Sequence, residues 1–186
     1  KDKENHFEKN VTFKNISEKV KLNLINDKIN SSSEDQWNSL IFALADYDLD
    51  GDVDLYVSSN SIRNKLSHQF FLENRAGKFF NQSSLANIEY SGFDISARFS
   101  DYDNDGYQDL FICNSSGDKL YRNMNNGKYV EQKDTGIKTT SISQSALFLD
   151  LDLEGDLDLF LATGKTNHYF RNNSDGTFSD MSKQFG

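Results

Sequence analysis

One string recurs three times along this chain of 186 residues, and it limits what the surrounding sequence can become. Its fullest copy is Asp101-Tyr-Asp-Asn-Asp-Gly-Tyr-Gln-Asp109, followed at once by the apolar Leu110-Phe-Ile. Carboxylates stand at positions 1, 3, 5 and 9 of the string, as Asp101, Asp103, Asp105 and Asp109. Alternate spacing lets a tight loop turn successive carboxylates inward, and Gly106 permits the bend that brings the ninth residue back to the first. With the backbone carbonyl of Tyr107 at position 7, one loop offers five hard oxygen donors. Acids this crowded repel one another unless a divalent cation compensates them. The string therefore reads as a Ca²⁺ loop.

The first copy is Asp46, Asp48, Asp50, Gly51, Asp52 and Asp54, and the third is Asp150, Asp152, Glu154, Gly155, Asp156 and Asp158. The leading Asp residues are 55 and then 49 positions apart, the spacing of a repeat architecture. An EF-hand loop opens in the same way, but it needs an acidic residue at position 12 and a helix on each side. Position 12 is Val57, Ile112 or Leu161, and the flanks are short apolar runs, so the ninth Asp must stand in for the missing ligand. That arrangement is a loop closing a β-hairpin, with the metal joining its two stems.

Each loop is embedded in the same series of short runs. An apolar run leads in (Leu40–Ala45, Ile95–Ser100, Ser145–Leu149) and another leads out (Leu55–Val57, Leu110–Cys113, Leu159–Leu161). A third strand follows (Gln69–Leu72, Lys119–Tyr121, His168–Phe170), then a Gly-containing turn and a fourth strand (Lys78–Ser83, Lys128–Glu131, Thr177–Ser182). The sequence thus predicts an all-β fold of three units, each of four antiparallel strands and of propeller-blade size: repeat 1 over 37–84, repeat 2 over 85–134 and repeat 3 over 135–186. Residues 1–36 form an N-terminal segment in which 11–17 resemble the strand that ends each unit, followed by a polar loop.

The string A-x-x-D-Y-D-x-D-G-x-x-D-L, with its following N-x-x-G-x-F turn, resembles the FG-GAP or VCBS repeats of integrin-α-like β-propellers. The resemblance covers about residues 37–186. It implies Ca²⁺ binding, about three ions in all, by Asp46, Asp48, Asp50 and Asp54, by Asp101, Asp103, Asp105 and Asp109, and by Asp150, Asp152, Glu154 and Asp158. The carbonyls of Asp52, Tyr107 and Asp156 complete the sets. Two departures matter. Glu154 brings an extra methylene into a tight loop, so the third site should be the weakest. The Gly-Ala-Pro part of the signature is absent from a chain that has no proline, so the VCBS-like branch fits better. Three blades are also too few for a closed propeller, and stacked repeats leave apolar faces open at both ends unless these are covered. Remaining blades are expected from a longer chain, of which this would be a piece, or from oligomerisation.

Charge and the remaining residue types narrow the function. The formal net charge is −9, and the three loops hold 14 of the 29 acidic residues, so the acidity belongs to the metal sites. No basic stripe suits a nucleic acid. No run reaches membrane-spanning length. The single cysteine, Cys113, fits a small buried position matching Ser58 and Ala162. The histidines His6, His68 and His168 form no catalytic pattern with Ser, Cys or Asp, so no enzyme is expected. The resemblance implies an extracellular or cell-surface module, with Ca²⁺ in a structural role, that mediates adhesion by binding a protein or glycan. The alternatives are a non-catalytic propeller part of a larger secreted enzyme and a rigid structural spacer.

Overall fold

The computed structural model describes residues 37–61 and 66–184. The predicted strand at 11–17 and the polar loop before Trp37 lie outside these residues. Twelve strands form three antiparallel sheets, each in simple up-and-down order. Sheet 1 comprises β1 (Trp37–Ala45), β2 (Asp54–Ser61), β3 (Leu66–Arg75) and β4 (Lys78–Asn81). Sheet 2 comprises β5 (Asp94–Ser100), β6 (Asp109–Asn114), β7 (Lys119–Asn123) and β8 (Tyr129–Glu131). Sheet 3 comprises β9 (Ser143–Leu149), β10 (Asp158–Thr163), β11 (His168–Asn172) and β12 (Phe178–Asp180). The expected four-strand units are present with boundaries moved by a few residues. The first strands β1, β5 and β9 lie side by side, so the sheets stack face to face in the manner of propeller blades.

Alternation along each strand sends one set of side chains to the preceding sheet and the other to the following one. Tyr56 and Phe71 leave sheet 1 to meet Ala97, Leu110, Ile112 and Tyr121 of sheet 2. Phe111, Cys113 and Leu120 leave the opposite face of sheet 2 to meet Ala146, Leu159, Leu161 and Phe170 of sheet 3. Cys113 is fully buried in that second junction, and burial pushes its thiol up to about 12, which keeps it unreactive. The outward faces of the two end sheets keep large apolar groups in water. Leu40, Phe42 and Leu44 are 49%, 51% and 65% exposed on β1, and Leu147 is 55% exposed on β9.

Two short helical segments depart from the strand-only expectation, a 3₁₀ turn over Ser182–Gln184 at the end of repeat 3 and an α-helical turn in repeat 1. The fourth strand of repeat 1 stops at Asn81, and a single helical turn, α1 (Ser83–Ala86), follows. Ala86 and Ile88 pack into the first junction, which gives this segment its burial. That junction also encloses Asp94, a buried carboxylate that accepts hydrogen bonds from Tyr90 Oη (2.7 Å), Asn114 Nδ2 (2.8 Å) and Ser58 Oγ. Among the described residues its hydrogen-bond donors are hydroxyl and amide groups.

Candidate metal centres

The three loops share one backbone course. Position 6 is glycine at φ +92°, +91° and +92° (Gly51, Gly106, Gly155), a conformation that side chains strain to adopt. Position 4 is left-handed as well, although it is occupied by Leu49 (φ +61°), Asn104 (φ +57°) and Leu153 (φ +61°). The leading Asp holds the turn from within. In loop 1, Asp46 accepts hydrogen bonds from the N–H groups of Asp50 (3.0 Å) and Gly51 (3.0 Å). In loop 2, Asp101 accepts from Asp105 (3.0 Å) and Gly106 (2.9 Å). In loop 3, Asp150 accepts from Gly155 (3.1 Å).

The ninth Asp is the anchor of each hairpin. Asp54, Asp109 and Asp158 are all buried. Each accepts one N–H from the residue at position 2 of its loop and one from the asparagine near the end of the third strand. The second of these contacts is Asn74 N–H to Asp54 (2.8 Å), Asn123 N–H to Asp109 (2.7 Å) and Asn172 N–H to Asp158 (2.9 Å). Burial raises the Asp54 carboxyl to about 6 and that of Asp109 to about 8, against the pull of these N–H donors. Burial, and then the neighbouring carboxylate of Asp50 or Asp105, likewise raises Asp48 and Asp103. In loops 1 and 2 the N–H donors thus do not fully offset the cost of ionising these enclosed acids.

The geometry gathers three carboxylates in each loop, with ligand atoms within 4.8 Å of one another: Asp46, Asp48 and Asp50; Asp101, Asp103 and Asp109; Asp152, Asp156 and Asp158. The sequence pattern of positions 1, 3, 5 and 9 is therefore met in part in each case. In loop 1, Asp54 stays outside the trio, and the Asp52 side chain is spent on the N–H of Ala76 (2.7 Å). In loop 2, Asp105 stays outside, and Tyr107 gives its N–H to Asp105 (3.0 Å). In loop 3, the Asp156 carboxylate joins, while Asp150 and Glu154 do not. Asp103 Oδ1 and Asp150 Oδ1 are buried and have no hydrogen-bond partner. Orphaned anionic oxygens amid other carboxylates fit a cation, and an all-oxygen set without His or Cys fits a hard one.

Loops 1 and 2 are also tied to the following blade. Tyr47, at position 2 of loop 1, packs edge-on against Tyr129 of sheet 2, with centroids 6.3 Å apart. Tyr102, at position 2 of loop 2, packs against Phe178 of sheet 3 at 6.0 Å. The carbonyls of the same two residues accept hydrogen bonds from the following blade, Asn123 Nδ2 to Tyr47 O and Asn172 Nδ2 to Tyr102 O, each 2.8 Å. Asn104 of loop 2 donates to the Gly155 carbonyl of loop 3 (3.0 Å). These asparagines sit in turn sequences and read there only as turn formers. The one signal for a shared role was the spacing of Asn74, Asn123 and Asn172, 49 residues at each step.

A family model described as an FG-GAP-like repeat matches residues 101–161, which run from the start of loop 2 through loop 3 and into β10. No curated protein matches the chain.

Proposed function

We propose, taking residues 101–161 as the FG-GAP-like repeat they match, that the chain is a calcium-binding repeat module of an extracellular or cell-surface protein. Its Ca²⁺ is structural, and its blades present a surface for a protein or glycan ligand in adhesion. The observation that carries the calcium reading is one loop course built three times, each copy gathering three carboxylates, with buried oxygens of Asp103 and Asp150 left unpaired. Calcium accepts irregular sets of six to eight oxygens more readily than magnesium does, and extracellular modules bind it at roughly 10⁻⁴–10⁻³ M. The bound ion would supply charge compensation, and the chain's own residues carry its effect outward. Ordering a loop fixes the residue at position 2, whose ring and carbonyl grip the next blade, so a metal-ordered hairpin becomes a metal-ordered blade junction.

No catalytic role is assigned. His168 is stacked on Phe170 with centroids 5.7 Å apart, which gives it a packing role, and the carboxylates are committed to the loops. Among the described residues no helix is long and apolar enough to cross a membrane. The apolar end faces, with Leu44 on one and Leu147 on the other, favour a larger assembly, its further blades supplied by a longer chain or by other copies. Thermal melts in Ca²⁺, in Mg²⁺ and in chelator, with a calorimetric titration, test the proposal. A Ca²⁺-specific rise in melting temperature with about three sites is expected. Identical melts in Ca²⁺ and chelator would refute it.

A further inference from the structure

Among the described residues an arginine forms ion pairs with the acids of loop 2 and none does so with those of loops 1 and 3, although Arg171 stands before Asn172 in the matching place on β11. Arg122 lies on β7 immediately before Asn123 and reaches back across the hairpin. Its Nε stands 2.7 Å from Asp103 Oδ2, and its Nη2 donates to Asp105 Oδ2 at 2.9 Å. Asp105 Oδ1 is taken by the N–H of Tyr107, so both oxygens of this carboxylate are engaged. Asp105 is also the position-5 acid missing from the loop 2 trio, whereas its counterpart Asp50 belongs to the loop 1 trio. Among the described residues no arginine forms an ion pair with the acids of loop 1. The residue before Asn74 is Glu73, which is itself held by Arg75 and by Gln82 (2.6 Å).

We propose that Arg122 is the resident counter-cation of loop 2 and competes with the incoming metal for Asp105. The inference rests on the calcium reading above. Held by one guanidinium hydrogen bond to Asp105 and an ion pair with Asp103, loop 2 stays ordered without an ion, and its carboxylates repel less. The same contact opposes metal uptake, because the ion must displace Nη2 before Asp105 can turn inward. Arg122 thus lowers the ion affinity of loop 2 while stabilising the empty loop. These are opposite effects on two measurable quantities. A purely structural arginine would support both.

The test uses the whole chain and Ca²⁺ alone. In Arg122→Gln the melting temperature in chelator should fall, while calorimetry should show one site tightening by about 1.5- to 5-fold, the range for loss of a partly exposed charge pair. Unchanged or weakened affinity in the variant, with the wild type binding normally, overturns the role of Arg122. Absence of binding heat in the wild type as well refutes the calcium reading itself. If the variant does not fold, the Arg122 Nε–H resonance of the wild type decides. It should shift as loop 2 fills, and a signal unmoved at saturation overturns the proposal.

Discussion

Calcium uptake should release protons, and the two loops with raised anchors should release them unequally. Asp109 and Asp54 are both almost fully buried (1% and 0% exposed), and burial raises the Asp109 carboxyl to about 8 and the Asp54 carboxyl to about 6. At pH 7 a group titrating near 8 is about nine-tenths protonated and one titrating near 6 about one-tenth. A metal requires the ionised form, so filling loop 2 should expel about 0.9 proton and filling loop 1 about 0.1. At pH 8.5 the loop 2 figure falls to about 0.2. The assay is calorimetric titration in two buffers of different ionisation enthalpy at each pH, such as PIPES and imidazole at pH 7 and EPPS and Tris at pH 8.5. The slope of apparent heat against buffer enthalpy counts the protons. Asp109→Asn should remove nearly all of the release seen at pH 7. Equal heats in both buffers at pH 7 for the wild type would refute the argument, since they would mean that the anchors are already ionised in the metal-free fold.

The same groups set the pH dependence of the empty protein. A carboxyl that titrates higher in the fold than in the unfolded chain stabilises fully below its unfolded value, near 4, and that contribution is lost as pH rises through its folded value. In chelator the melting temperature should therefore decline from pH 5 to 8.5, first through Asp54 and then through Asp109, and saturating Ca²⁺ should reverse the trend. Leu153→Asn should stabilise by about 0.5–1 kcal/mol, because the leucine spends a left-handed conformation (φ +61°) while 85% exposed, and a fall in melting temperature would count against it. Asn172→Ala removes donors to Tyr102 O and Leu157 O and an acceptor for the Ser174 N–H, and should cost about 2–3 kcal/mol by denaturant unfolding, whereas a change under 0.5 kcal/mol would show that the clamp carries nothing. With its extra methylene at position 5, loop 3 should be the weakest site, and equal constants from single-loop knockouts would dismiss that expectation.

The blades were legible because two local signals coincide. Apolar runs too short for helices flank a string whose glycine and alternating acids permit one kind of turn. The interactions between blades were not legible. Asn123 and Asn172 look like ordinary turn residues, and their Nδ2 donors find acceptors 76 and 70 positions away, a pairing only the stacked sheets create. Arg122 reads as a surface charge until β7 places it across from Asp103 and Asp105. Asp94 reads as polar punctuation before a strand, but it is enclosed by groups from two sheets.

The asparagine clamp also bears on how such an array can grow. Its donor always belongs to the later blade and its acceptor to the earlier loop. A segment cut anywhere within one 49-residue period and copied in tandem therefore carries both halves of the joint, donor for the unit behind it and acceptor for the unit ahead. A gene duplication of about that length inserts a unit that carries both halves of the joint, and the 76- and 70-residue separations of the two existing clamps show that the chain between the halves absorbs a few extra residues. Growth by whole units is thus the path of least resistance for this architecture, and each added unit brings its own acid loop with it.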